Sequence, residues 1–203
     1  MAPRARQRRA DLGRQCPRGR ARLHRAVADD GRGVSVARAR RRRRGVLSVR
    51  RGTARDAGVI CELIRGLARY ERLERQCVIG PSAIRRHGFG RRPYFETLLC
   101  RRNGAPIGLA LYFFTYSTFL GQPTLYLEDL FVLPEARGAG AGRALLRALA
   151  RIALRRGCGR MEWAVLDWNT PSIRFYRRLG AGLRKEWILT RLTGAPLRRL
   201  ARG

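Results

Sequence analysis

The chain has 203 residues and a formal net charge of +31, and 45% of its residues are hydrophobic. This length fits one domain of about 150 residues with an additional segment, and the apolar fraction is sufficient for a buried core. No run approaches the roughly 18–20 apolar residues that a membrane helix needs. The N-terminal region also lacks the apolar segment that a secretory signal contains. We therefore expect neither a membrane span nor secretion.

The five cysteines are scattered along the chain and form no C-x-x-C pair. This pattern predicts reduced thiols in the cytoplasm rather than a disulfide framework or a zinc site. The two histidines, His24 and His87, are far apart in the sequence, which leaves little material for a histidine metal site or a histidine-based catalytic triad. We expect a cytoplasmic protein that binds no metal.

Residues 1–45 are dominated by arginine, with 16 arginines against three aspartates and an unbroken arginine run at 40–44. They show no hydrophobic period, so their composition predicts a disordered basic arm. Our main interpretation is that these residues form a solvated tail, or that they are an upstream extension that results from a wrongly assigned start codon. A nucleic-acid or anionic-surface arm and a mitochondrial-type targeting peptide are the alternatives. The folded domain is predicted at residues 46–203.

Within the predicted domain, short runs of β-branched and aromatic residues predict strands, and apolar residues at three- and four-residue spacing predict helices. The predicted strands lie at 47–51, 94–101, 106–116, 125–133, 160–168 and 186–192. The predicted helices follow Thr53, lie between Gly80 and Gly88, and occupy 144–154 and 172–179. The order β-α-α-β-β-β-α-β-α-β predicts an α/β domain built on a mixed sheet.

Three local signals support these boundaries. Thr53-Ala-Arg-Asp56 offers an N-cap residue with an acid three positions later, as in a capping box. Asn103-Gly104 is typical of a tight hairpin turn. Asn169-Thr-Pro171 places a capping side chain before a proline in the first helical turn.

The run Arg137-Gly-Ala-Gly-Ala-Gly142 lies between a predicted strand and a predicted helix. Glycines at a helix start leave backbone N–H groups free to point at an anion, with the helix dipole behind them. We therefore expect this turn to hold the pyrophosphate of a cofactor. A glycine loop without a ligand and a Rossmann-type turn are the alternatives, although the spacing and the later acid of the Rossmann motif are not met convincingly.

A second motif, Asn169-Thr-Pro-Ser-Ile-Arg-Phe-Tyr-Arg-Arg-Leu-Gly180, follows the next strand. Together with the glycine turn it resembles the N-acetyltransferase (GNAT) superfamily. The stretches LARYE at 67–71, FFTY at 113–116, YLED at 126–129 and DWN at 167–169 resemble the spermidine/spermine (diamine) acetyltransferase branch. The similarity runs from about residue 46 to residue 200.

The resemblance implies the GNAT fold, a mixed and mostly antiparallel central sheet flanked by helices. It implies an acetyl-CoA-dependent transfer to a primary amine of a small diamine, polyamine or lysine-like substrate, by direct attack. It also implies a homodimer.

The cofactor site implied by the resemblance combines both motifs. Its expected residues are Leu130, Phe131, Val132, Arg137, Gly138, Ala139, Gly140, Ala141, Gly142, Arg143, Asn169, Ser172, Tyr176 and Arg178. A backbone N–H at Phe131 or Val132 is the expected oxyanion donor, if the strand bulges there as in the family. A splayed strand end would also admit the pantetheine arm as an additional strand.

Tyr176 is the expected general acid, because a phenol pKa near 10 is close to a thiol pKa near 8.5. Glu128 is the expected base, acting directly or through water, and Asp129 is the alternative. Consecutive strand residues point to opposite faces, so only one of these two acids is expected to face the substrate. A packed core tyrosine and a buried structural acid are the alternatives without a chemical role.

The expected substrate-binding residues are Glu71, Glu128, Asp129, Glu162 and Glu186. Their carboxylates would attract a cationic amine. The sequence departs from the branch in a short loop after Gly180 and in Glu162, which stands where the branch has a histidine. A small diamine, a lysine-like amino acid such as thialysine, and a protein amine therefore all stay open as substrates.

The competing hypothesis is an arginine-rich nucleic-acid or anion-binding protein on a degenerate acetyltransferase scaffold. Its basis is the net charge of +31, and it places nucleic acid on the basic arm alone. No RNA-binding signature or interleaved aromatic platform supports it.

Overall fold

A computed structural model describes residues 45–203. The predicted basic arm, except for residue 45, lies outside the described residues. The disorder of the arm and the domain boundary at residue 46 therefore stay predictions. No helix in the part of the chain that the structure describes has the length and apolar content to cross a bilayer.

A five-stranded sheet in the order β1-β2-β3-β4-β5 forms the centre of the described chain. The strands are β1 Leu47–Arg51, β2 Glu96–Arg102, β3 Ala105–Ser117, β4 Gln122–Val132 and β5 Arg160–Glu162. The helices are α1 Ala57–Glu71, α2 Pro81–Phe89, α3 Ala141–Arg155, α4 Thr170–Arg178 and α5 Gly194–Leu200. Strands β1 to β4 pair antiparallel and β5 joins β4 in parallel. The predicted mixed, mostly antiparallel sheet flanked by helices is confirmed.

The sheet has two apolar faces, because successive strand side chains point to opposite sides. The α3 face joins strand residues to helix α3 through Leu98, Cys100, Tyr112, Leu125, Leu127, Leu145, Leu149 and Ile152. The α1 face joins strand residues to helices α1 and α2 through Leu99, Leu109, Phe131, Ile60, Leu63 and Ile84. Each large aliphatic side chain buried in this way contributes about 1.5–3 kcal/mol, so both helix layers are held to the sheet by hydrophobic burial.

The turn between β2 and β3 confirms the hairpin predicted at Asn103-Gly104. Both residues have positive φ, 50° at Asn103 and 85° at Gly104, as the two central residues of a type I′ turn require. The Asn103 side chain also accepts a hydrogen bond from the Val46 N–H at 3.1 Å. The hairpin therefore also anchors the start of β1.

The predicted cap before the first helix is also present. The Thr53 N–H and hydroxyl both donate to Asp56 Oδ2 at 2.8 Å. The Arg50 guanidinium donates to both Asp56 oxygens, at 2.8 Å and 2.6 Å. These bonds hold the pKa of Asp56 well below its usual range and tie the end of β1 to the start of α1.

Strand β4 contains a β-bulge at Glu128. Asp129 pairs with Leu111 and Leu127 pairs with Tyr112, so Glu128 is an extra residue without a partner on β3. The bulge changes the face to which the following residues point. Leu127 packs on the α3 face, whereas Phe131, four residues later, packs on the α1 face.

The predicted strand at 186–192 is wrong. Residues 181–193 contain no strand, and Trp187, Ile188 and Leu189 are 75%, 85% and 77% exposed. Apolar and β-branched composition favours a strand only where a neighbouring edge supplies hydrogen bonds. The neighbouring β5 is also shorter than predicted, three residues instead of the run at 160–168.

Candidate active site

Strands β4 and β5 separate near the middle of β4. They pair only between residues 124–126 and 160–162, whereas β4 continues to Val132. The edge of β4 that faces β5 therefore has no strand partner at residues 127–132, within the chain that the structure describes. We call this opening the β4–β5 gap.

The backbone direction along β4 identifies which groups point into the β4–β5 gap. The Leu133 N–H donates to the Ile107 carbonyl at 3.0 Å, on the β3 side. Because successive residues alternate, Val132 and Leu130 direct their N–H and C=O groups into the gap, and Phe131 directs its own toward β3. Arg137 Nε donates to the Val132 carbonyl at 3.1 Å, which agrees with this direction.

The bulge lies earlier in β4 than expected. Phe131 pairs with Leu109 and Val132 pairs with Gly108 without a register shift, so the bulge expected at Phe131–Val132 is absent there. The register between β3 and β4 changes instead at Glu128. The Val132 N–H reaches the gap through strand separation.

The glycine turn between β4 and α3 is open and leaves backbone N–H groups without a backbone partner in the described chain. Gly138 and Gly140 have φ of 75° and 89°, and a side chain at either would meet no atom within 4 Å. The first helical bond runs from the Ala144 N–H to the Gly140 carbonyl at 2.9 Å. The N–H groups of residues 138–143 donate to no backbone acceptor in the described chain. These groups, with the helix dipole behind them, fit a pyrophosphate.

Tyr176 on α4 is buried, with 8% of its surface exposed. Its ring packs against Trp163 at 5.2 Å and Phe175 at 5.4 Å between centroids. Burial raises the pKa of Tyr176 to about 12, with further contributions from Glu71 and Tyr70. The phenol thus stays protonated at neutral pH, within electrostatic range of a carboxylate on α1.

Two of the predicted carboxylates, Glu128 and Glu71, are close enough to a third, Asp129, to influence its ionisation. Burial, together with the smaller contributions of the Glu128 and Glu71 charges, raises the pKa of Asp129 to about 7. Burial also raises the pKa of Glu71, the last residue of α1. We call Glu71, Glu128 and Asp129 the carboxylate group. In the described chain, these three carboxylates are not arranged as a group that could hold a metal ion.

The bulge places both acids of β4 on one face. Leu127 faces α3, so Glu128 faces α1, and Asp129 shares the side of Phe131, which also faces α1. The bulge removes the regular alternation on which the expectation of a single substrate-facing acid rested, and which of the two acids faces a substrate stays a prediction. Tyr176 belongs to the α3 face, yet it is influenced by Glu71, because the sheet is open between β4 and β5.

Tyr70 was not expected at the site, yet it connects three of its elements. Its hydroxyl donates to Asn169 Oδ1 at 3.1 Å, and the same oxygen accepts the Ser172 N–H at 3.3 Å and caps α4. The Arg137 guanidinium lies 4.5 Å from the Tyr70 ring centroid and 5.9 Å from that of Phe131. The position of Tyr70 in LARYE was the only sequence signal for this connection.

Burial and then the charges of Glu128 and Glu162 raise the pKa of Tyr126, so Glu162 lies near the carboxylate group. Glu162 on β5 pairs with Arg160 at 3.0 Å and is aligned with Tyr126. Glu186 lies in the exposed segment after α4 and pairs with Arg184 at 3.6 Å. Within residues 45–203, Glu186 forms no hydrogen bond or ion pair with a residue at the β4–β5 gap. Arg143 and Arg178 are exposed, on α3 and at the end of α4.

The chain is similar in sequence to known proteins. A family model described as the acetyltransferase (GNAT) family matches residues 68–181. The mouse thialysine N-epsilon-acetyltransferase is 38% identical over 164 residues, covering 75% of this chain and 96% of that protein. A human spermidine/spermine N(1)-acetyltransferase-like protein 1 is 34% identical over 140 residues, covering 66% of this chain and 20% of that protein.

A solved structure supports the fold. An integron cassette protein from the mobile metagenome of V. cholerae superposes with a TM-score of 0.66 at 24% identity, covering 77% of this chain and 98% of that one. The family model spans more than half of the residues printed above. The chain therefore belongs to the acetyltransferase (GNAT) family.

Proposed function

We propose that this protein transfers the acetyl group of acetyl-CoA to a primary amine of a small diamine, polyamine or lysine-like substrate by direct attack. The observation that carries the proposal is the position of Glu71, which influences the ionisation of both Asp129 in the carboxylate group and the buried Tyr176. Carboxylates attract a cationic amine, and a protonated phenol supplies an acid for a leaving thiolate. The names of the mouse and human relatives also point to lysine-like and polyamine substrates.

The cofactor-binding part of the proposal uses the open backbone groups. The N–H groups of residues 138–143 would hold the pyrophosphate, and the gap-facing backbone of Leu130 and Val132 would pair with the pantetheine amides. Asn169 and Ser172 hold the start of α4, and the exposed side chains of Arg143 and Arg178 would contact phosphates. Acetyl-CoA supplies an acetyl thioester that an amine attacks directly.

The proton transfers follow from the same geometry. Glu128 or Asp129 would remove a proton from the incoming ammonium, directly or through water. Asp129 is suited to this at neutral pH, because burial raises its pKa to about 7. The amine nitrogen then bonds to the carbonyl carbon while the Val132 N–H stabilises the oxyanion. The C–S bond would break as Tyr176 gives its proton to the sulfur. The second proton of the attacking nitrogen would then return to the Tyr176 phenolate, which leaves a neutral amide and a free thiol.

The substrate would also tune the acid. The Glu71 charge raises the pKa of Tyr176. A second ammonium group of a diamine beside Glu71 would offset that charge and lower the pKa of Tyr176 toward that of a thiol. A substrate with two amines would therefore bind and activate the acid together. Glu162 and Glu186 would join the site only after leaving Arg160 and Arg184.

We also propose that the protein is a homodimer, that it is cytoplasmic, and that residues 46–203 form its catalytic domain. The exposed side chains of Trp187, Ile188 and Leu189 favour a partner surface, since soluble monomers rarely expose large contiguous apolar patches. Analytical ultracentrifugation of the full chain tests the dimer. A monomer at assay concentrations would contradict that part of the proposal.

The experiment for the activity is an amine panel. Purified full-length protein receives acetyl-CoA with diamines, polyamines, lysine, thialysine or a peptide, and both free thiol and N-acetylated product are measured. We expect thiol release that depends on the amine and matches the product one to one. Thiol release without an acetylated amine, or no turnover across the panel, would contradict the proposed function.

A further inference from the structure

Helix α3 carries a regular row of arginines on its outer surface. Arg143, Arg147, Arg151 and Arg155 recur at every fourth position, and all four are exposed. Four residues of helix rise about 6 Å, so the row is about 18 Å long. The opposite side of α3 is buried against the sheet through Leu145, Leu149 and Ile152. We call these four residues the α3 arginine row.

Among the residues that the structure describes, no acid pairs with the arginines of the row. Helix α3 contains no aspartate or glutamate, and within residues 45–203 no ion pair or side-chain hydrogen bond uses a residue of the row. Helix α1 differs, because Arg65 pairs there with Glu62 at 2.9 Å. Like charges four positions apart destabilise a helix, so helix stability does not account for the row.

The cofactor does not account for the whole row either. Arg143 adjoins the glycine turn and belongs to the proposed cofactor site. Arg151 and Arg155 lie about 12 Å and 18 Å farther along the helix axis. The row therefore extends well past a surface that serves one pyrophosphate.

We propose that Arg147, Arg151 and Arg155 bind the phosphate backbone of double-stranded nucleic acid without reading its sequence. Guanidinium groups bind phosphate oxygens in a bidentate geometry. A duplex carries one charge per roughly 1.7 Å, so about ten phosphates lie along the 18 Å of the row. The α3 residues between the arginines of the row are alanine, leucine and isoleucine, which offer no hydrogen bonds to base edges.

A nucleic acid suits this surface better than an anionic membrane. A helix that lies in a bilayer surface inserts an apolar side, and the apolar side of α3 is buried in the protein core. Leu154 is the one strongly exposed large apolar residue of α3, with 78% of its surface exposed. The row thus offers charge for phosphates with little apolar surface for lipid.

The test compares two triple variants in the full chain. Arg147, Arg151 and Arg155 are changed to Gln in one, and Arg55, Arg85 and Arg91, all exposed residues outside α3, are changed to Gln in the other. Both variants lose the same charge, and the N-terminal arm is present in every protein. Fluorescence anisotropy at several salt concentrations gives the affinity for a mixed-sequence DNA duplex.

We expect the α3 variant to bind more weakly and to lower the slope of log K against log salt by about 2–3, at about 0.9 per phosphate contact. The control variant should keep the wild-type slope. Acetyl transfer and the thermal midpoint should persist in both, which shows that they are folded. An unchanged slope in the α3 variant, or an equal loss in the control, would overturn the proposal. Cosedimentation with anionic phospholipid vesicles is measured in parallel, and a loss of vesicle binding while duplex binding stays intact would also overturn the proposal.

Discussion

Tyr176 combines burial with proximity to a carboxylate, and both raise its pKa. If the phenol is the proton donor, Tyr176→Phe should lower kcat by about 10²-fold or more and change KM only a few-fold. Steady-state kinetics with a substrate from the amine panel gives both values. Tyr94, which is 76% exposed, supplies the matched Tyr94→Phe control. An unchanged kcat in Tyr176→Phe would remove this residue from the reaction.

Asp129 should also shape the dependence of stability on pH. Its pKa is about 7 in the folded protein and near 3.9 in an unfolded chain, so the folded state binds this proton more tightly. The stabilisation by the proton is present at acidic pH and is lost as the pH rises to about 7.

Asp129→Asn keeps the shape of the neutral acid and removes its ionisation. We expect the variant to gain on the order of 2–4 kcal/mol of unfolding free energy relative to wild type at pH 8, and much less at pH 4. Urea unfolding at the two pH values measures the difference. An equal difference at both pH values would contradict the raised pKa.

At the residue scale, the two acids of β4 show what can and cannot be predicted from the sequence. Glu128 and Asp129 were identifiable from the YLED stretch, but their orientation was not. Strand alternation predicts opposite faces, and the bulge that reverses this depends on the register with β3. Register is a property of two paired strands, so one strand's residues do not reveal it.

The joint between β1 and α1 depends on Asp56, which accepts bonds from Thr53 and Arg50. Asp56→Ala should lower the unfolding free energy by about 1–3 kcal/mol. Because the pKa of Asp56 is depressed, this stabilisation is present above its unfolded pKa and is lost as the pH falls below it. Urea unfolding at neutral pH measures the effect. Glu62→Ala, at an exposed ion pair, should cost less than about 1 kcal/mol; equal costs would contradict this assignment.

Tyr70 links α1, the glycine turn and α4, and we propose that it is a positioning residue. Tyr70→Phe keeps the ring under Arg137 and removes the bond to Asn169. We expect kcat/KM for acetyl-CoA to fall about tenfold, because the start of α4 loses one of its restraints. Steady-state kinetics tests this, and Tyr116→Phe at an exposed position is the control. A loss of stability without a change in kcat/KM would leave Tyr70 with a structural role alone.

At the scale of elements, local signals were sufficient where a local interaction forms the structure. The Asn103-Gly104 turn and the Thr53–Asp56 cap were predictable, because their bonds lie within a few residues. The strand at 186–192 was not, because a strand needs an edge from another part of the structure. The early end of β5, which opens the sheet, is equally a matter of tertiary pairing.

The whole molecule combines a strongly basic surface with a small acidic site. The net charge is +31, yet the proposed site combines Glu71, Glu128 and Asp129, and the first two influence the ionisation of the third. We expect the negative charge of these carboxylates to outweigh the repulsion between a cationic substrate and the net positive charge of the protein. The carboxylates should therefore favour substrates with two positive groups. The comparison of diamines with monoamines therefore reports on the site itself.

The most direct test is the ratio of kcat/KM for a diamine to that for a monoamine of equal chain length. We predict that wild type favours the diamine, and that Glu71→Gln lowers the ratio about tenfold with a smaller change for the monoamine. Glu62→Gln, on the exposed side of α1, should leave the ratio unchanged. If Glu71→Gln keeps the wild-type ratio, the amine does not bind beside Glu71 and the account of this site is contradicted.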